Sequence, residues 1–195
     1  MKLLCTFLLL AALTLTAAAQ PSPGAPATGA KAKFSSGDAR IYIVTAEAMQ
    51  FQLKATEKIR WKMKDADPEA VTLANKMSKE MTDLYTPGVT LAQEHGVPGN
   101  VDKKPKSGTI PNDMTTADKA ALAKVDAMNK DEKKWAIALF ELLAKEAKKN
   151  AAVAEKSAQA AQDADLKTFV GNVAALLKSQ ADAAEAKFKE LKAKK

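Results

Sequence analysis

One histidine, one cysteine near the N-terminus and two glutamines on apolar helical stripes are the side chains here whose types could carry chemistry. His95 stands beside Gly96 at the end of a predicted helix, where an imidazole meets carbonyls left without helical partners. A Ser/His/Asp relay would need His95, and no strand-to-helix elbow presents a nucleophile to it. Cys5 lies within the first apolar stretch and no other cysteine follows, so neither a disulfide nor a Cys-based metal site is expected in the exported part. No glycine-rich loop links a strand to a helix, which removes a phosphate cradle. Met49, Met63, Met77 and Met81 could ligate haem, but methionines at helical spacing are ordinarily core filler, and no Cys-x-x-Cys-His attachment site exists. The chain therefore reads as non-enzymatic and without cofactor.

Gln52 and Gln180 each lie on or beside an apolar stripe. Pointing inward, their amides would have to hydrogen-bond to each other or to a trapped water; the alternative places them at the edge of the fold. Trp135 falls on a core stripe. Trp61 falls near a helix end beside Arg60 and Lys62, half exposed, and with Lys103, Lys104 and Lys106 of a long connection it forms the candidate partner surface. Few aromatics accompany the basic residues, so stacking platforms for nucleic acid are missing.

The elements that position these residues are helices. Lys2, the apolar run from Leu3 to Leu15 and Ala17-Ala18-Ala19 read as an export signal cut before Gln20. That run falls short of the roughly 20 residues a membrane span needs. Gln20 to Asp38 is rich in Pro, Gly, Ala and Ser and reads as a flexible tether. Residues 39–195 then form the bundle domain. The formal charge of +7 becomes +6 once Lys2 is removed. A basic exported chain can adhere to anionic envelope components, lipid head groups among them. Interspersed Lys, Asp and Glu also simply make a soluble helical surface.

Ile41, Val44, Ala48, Phe51, Ala55 and Ile59 recur at helical spacing and predict a helix from about Ala39 to Lys64. Asp67-Pro68 caps a second, with Ala70, Leu73, Met77, Met81 and Leu84 inward, running to His95 but interrupted at Thr86-Pro87-Gly88. Gly96 to Asp113 is a long exposed connection. Thr115 or Thr116 caps a short helix to about Met128. A third long helix covers roughly Glu132 to Gln162, and a fourth, after the corner Asp163-Ala164-Asp165, runs from about Leu166 to Lys192. No segment alternates with period two. The expectation is an all-α, antiparallel four-helix bundle with a long connection between its second and third long helices.

Three stretches, "DPEAVTLANKM", "ALAKVDAMNKDEKKWAIAL" and "AQDADLKTFVGNVAALLKSQ", resemble a family of exported bacterial proteins with a ferritin-like four-helix bundle. That family is catalogued as a domain of unknown function and often labelled an outer membrane protein. The resemblance spans roughly Asp38 to Leu191. It implies histidines on the second, third and fourth long helices and acids on the first, a metal- or proton-active interior. Here the matching positions are Met81, Ala147 and Gln180, with Gln50 and Gln52 on the first helix. A di-metal site of this type needs inward Glu residues and Glu-x-x-His pairs, and no Glu-x-x-His occurs. No metal ligand is carried over.

The expected function is thus a non-catalytic binding or structural module of the periplasm or outer membrane, whose partner is an anionic envelope component or another envelope protein. A ferritin-like metal-binding or redox protein and a holdase-like periplasmic chaperone are the alternatives.

Overall fold

The computed structural model describes residues 31–194 except 65, 100–110, 112 and 129. The signal segment, most of the tether, and Lys103, Lys104 and Lys106 lie outside the described residues. Five helices and no strand occur among the described residues: α1 Ser36–Lys62, α2 Pro68–Glu94, α3 Thr116–Asp126, α4 Glu132–Ala160 and α5 Ala164–Ala193. Each begins where the local chemistry supplies a cap. The side chains of Ser35, Asp67, Thr115, Asp131 and Asp163 accept from amides of the following first turns. Pro68 fills the first position of α2, where its missing N–H costs nothing. Gly96, at φ 80°, takes the left-handed conformation that ends the segment after α2.

The helices form an all-α bundle. α4 packs along α5 and α1 along α2, while α1 meets α4 and α5, α2 meets α5, and α3 leans on α4. One end gathers the close of α1, the start of α2, the start of α4 and the close of α5 around a groove lined by Met63, Pro68, Ala136 and Leu191. At the other end Lys31 bridges Glu94 and Asp165, and the Gln162 amide donates to Asp38 at 2.9 Å. No helix is long and apolar enough to cross a membrane among the described residues.

The interior divides into two apolar clusters. One, around Tyr42, Met49, Met81, Leu166 and Leu177, fills the half near Asp38. The other, around Phe51, Ile59, Met77, Trp135, Leu139 and Phe140, fills the half near Lys62. Alanines at 147, 151 and 154 keep α4 close to its neighbours.

Two expectations are corrected. Pro87 does not interrupt α2, which runs unbroken through it. Proline removes one backbone bond, but Asp83 and Pro87 are exposed, so water can satisfy the freed carbonyl, while Met81, Gly88 and Ala92 hold the helix to the core. Tertiary packing outweighs local propensity in such cases. The inward face of α1 is also shifted in its first half. Val44 is 40% exposed, and Tyr42, Thr45, Met49, Gln52 and Thr56 take the buried positions. Phe51, Ala55 and Ile59 are buried as their spacing implied. The shift is confined to the first half of α1, where Thr45 satisfies its hydroxyl on the Ile41 carbonyl, as Thr56 further on does on that of Gln52, and so tolerates burial.

Candidate functional site

Where the two apolar clusters meet, the structure places the amides of Gln52 and Gln180, each 1% exposed. The helical register of α1 and α5 therefore turns both inward, as one of the two sequence readings required. They do not pair directly. Gln180 Nε2 donates to the Met77 carbonyl at 2.9 Å, while its Oε1 and both amide atoms of Gln52 have no protein partner. Burying a polar group without a partner is costly, so such a layer is kept at the expense of stability. Met81 and Ala147 are fully buried as well, and Gln50 nearly so. Thioether, methyl and carboxamide groups do not make the carboxylate and imidazole set that a hard di-metal centre requires.

His95 is buried at the opposite end of α2 from Asp67, but its partner is not a helical carbonyl. Its Nδ1 lies 2.7 Å from the carbonyl of Ala32, and the ring stacks on Phe34 at 4.2 Å. The Phe34 amide donates to the His95 carbonyl at 3.0 Å. The helix α1 thus begins at Ser36, and the residues just before it lie against the end of α2. Asp163 Oδ2 is 3.6 Å from Nδ1, and His95, Asp163 and Asp165 bring their ligand atoms within 4.8 Å of one another. Two features make this a poor cation site. The short Nδ1 contact to a carbonyl needs a proton on that nitrogen, and Lys31 already neutralises Asp165 at 2.9 Å. The same lysine holds the Asp165 carboxyl below the usual carboxylate range.

The third candidate is the end where α1 closes. Trp61 is 77% exposed, more than its half-exposed expectation, because it points away from the bundle one residue before the helix ends. Trp135 is buried, as its stripe implied, and its Nε1 donates to Asp126 at 3.3 Å. Lys58 pairs with the same aspartate at 2.7 Å, and the Lys62 ammonium sits 4.4 Å over the Trp135 ring. Lys54, Lys58, Trp61 and Lys62 follow one stripe of α1 and wall a groove of about 680 Å³ against Met114 and Lys119. Asp113 and Lys119 pair across its rim at 2.5 Å. The groove is thus open, walled by lysines paired with Glu57 and Asp126, and aromatic at its lip.

A charged residue missed by the sequence reading completes this end. Lys187 is buried on α5, with Asp67 at 3.0 Å, Glu190 at 2.9 Å and Glu69 at 3.4 Å. Burial pulls its ammonium down, but these partners outweigh that and hold it above the usual lysine range. The Asp67 carboxyl is held below its ordinary range, since its bonds from Ala70 and Lys187 outweigh its burial. Aspartate at the cap of α2 was legible; a lysine from a helix more than a hundred residues away was not. No family model, curated protein or solved structure matches the chain.

Proposed function

We propose that this chain is an exported, non-catalytic binding module of the cell envelope that engages an anionic partner through the end carrying Trp61. In this reading α1, α2, α4 and α5 are the antiparallel four-helix bundle of a ferritin-like ancestor, and α3 is a side helix in its long connection. Export rests on the apolar run and small residues ahead of Gln20. The observation that carries the binding role is the large exposed indole of Trp61 set among cations, in a chain whose other tryptophan is fully buried. A big aromatic with a polar edge, exposed beside cations, is the usual composition of a contact surface. The lip of the groove is rimmed by lysines and carboxylates. A holdase would instead present a broad apolar concavity there.

The test is retention on an immobilised phosphate-bearing polyanion. The triple variant Arg60→Gln/Lys62→Gln/Lys64→Gln should elute at clearly lower salt than a variant carrying Lys33→Gln/Arg40→Gln/Lys167→Gln, which removes equal charge from the other end. Equal elution of the two would mean net charge alone governs adhesion, and the proposed binding end would be wrong.

A further inference from the structure

The charge at the Trp61 end is laid out in a way that narrows the partner. Arg60 and Lys62 close α1 and Lys64 follows it, Lys130 and Lys133 flank the start of α4, and Lys192 closes α5; all six are exposed. Among the described residues none of them pairs with a carboxylate. The acids of this end are largely engaged elsewhere: Asp67 and Glu190 by Lys187, Asp126 by Lys58, and Asp131 by Lys134. Among the described residues Glu132 is exposed without a lysine partner, and Glu69, bound to Lys187, is exposed as well. These helix ends converge on one face, since Lys62 lies over Trp135 of α4 and Lys133 donates to the Lys194 carbonyl at the close of α5. At the far end Lys31 pairs with Glu94 and Asp165, while Lys33, Arg40 and Lys167 are exposed without a carboxylate partner among the described residues. What sets the Trp61 end apart is therefore its exposed apolar side chains beside the cations.

Two large apolar side chains protrude near this cationic face, Trp61 and, at 49% exposure, Met128 in the α3–α4 corner. They crown an end of the bundle, where an enclosed pocket would be needed to grip a soluble ligand. A soluble polyanion gains little from exposed indole and thioether groups. A bilayer surface takes both features at once, cations at the head-group phosphates and an indole at the interface, its preferred depth. We infer that the Trp61 end docks on an anionic lipid surface, with Arg60, Lys64, Lys130 and Lys192 facing the head groups, Lys62 and Lys133 adding their charge from beside the Trp135 ring and the Lys194 carbonyl, and Trp61 entering the interface. The inference rests on the binding reading above and specifies its partner.

Each lysine or arginine held near an anionic leaflet strengthens binding roughly fivefold, so three charges amount to ~100-fold. The attraction extends about 10 Å at 0.1 M salt and fades above that. The experiment mixes the full chain with vesicles of phosphatidylglycerol and phosphatidylcholine, or of phosphatidylcholine alone, and follows tryptophan emission and acrylamide quenching. Trp61 is the accessible indole and Trp135 is fully buried, so the change reads this end of the bundle. The expected result is a blue shift and protection from acrylamide on the anionic vesicles, reversed by salt. Partitioning should fall about 100-fold in Arg60→Gln/Lys62→Gln/Lys64→Gln. Trp61→Ala, which removes the reporter, should cosediment with the anionic vesicles less than the wild type, with its helical circular dichroism unchanged. Unchanged emission with retained triple-variant-sensitive polyanion binding would overturn the lipid inference and leave the binding reading standing. Loss of both would overturn both. Equal binding to neutral vesicles would also overturn the inference, because the apolar N-terminal run would then suffice.

Discussion

Replacing Gln52 by methionine should make this protein more stable. Methionine matches glutamine in length and flexibility and brings no amide, so the cavity is refilled without new polar atoms. Both amide atoms of Gln52 are buried without a protein partner, whereas Gln180 places its Nε2 on the Met77 carbonyl and strands one oxygen. A buried polar group left unpaired costs about 1–3 kcal/mol. Gln52→Met removes that penalty and loses no protein hydrogen bond, so the expected gain is about 1–3 kcal/mol. Gln180→Met removes one stranded oxygen and forfeits one bond worth about 1 kcal/mol, and should be close to neutral. For a domain of this size the Gln52→Met gain corresponds to about 3 °C in Tm per kcal/mol. Urea unfolding followed by circular dichroism reads the same change as a shift in midpoint at constant slope. The double variant should be additive within about 0.5 kcal/mol, because the two amides share no direct bond. A loss of more than about 1 kcal/mol in Gln52→Met, or a coupling of that size in the cycle, would refute the reasoning: the layer would then be a satisfied network joined through water.

Three further outcomes follow from the packing. Gly88→Ala should destabilise by about 1 kcal/mol despite its helix propensity gain, because a Cβ there would lie 2.4 Å from the Phe169 ring; Phe169→Leu should relieve the loss in thermal unfolding of the double variant. Lys187→Met should cost about 1–3 kcal/mol by chemical unfolding, since it leaves Asp67 and Glu69 without their cation and Glu190 with Lys194 alone. Its pH dependence has a definite sign. Asp67 is held below its ordinary value, so its contribution is present above about pH 4 and lost as pH falls through the folded value. Lys187 is held above its ordinary value, so its contribution persists to about pH 10 and is lost as pH rises further. The difference between wild type and Lys187→Met should therefore be flat from about pH 5 to 10 and shrink at both extremes. Finally, His95→Ala should speed hydrogen exchange at the Phe34 amide much more than it lowers the global midpoint, because the stacked ring and the Ala32 contact fasten residues 31–35 locally. An unchanged Phe34 exchange rate would show that the segment is held by other contacts.

Helix existence, caps and corners were legible in the residue order because they are local. Asp67-Pro68, Thr115, Asp131 and Asp163 each satisfy amides three residues away, and a stripe such as Trp135, Leu139 and Leu143 repeats with the helical turn. The inward turn of Gln52 and Gln180 was legible as one of two alternatives, and the burial of Trp135 as a stripe position. What local order leaves open is decided by neighbours far along the chain. Pro87 sits inside α2 because packing beyond it holds the helix, and Val44 is 40% exposed while Tyr42 is fully buried, its ring 5.9 Å from that of Phe169. Lys187 reads as one more surface lysine until α5 brings it against Asp67. The cationic face is likewise spread over Arg60, Lys130 and Lys192, residues that become neighbours only when three helix ends meet. Hydrogen bonds and caps act over a few residues and are written in sequence; burial and charge fields are set by distance in space, which the fold alone assigns.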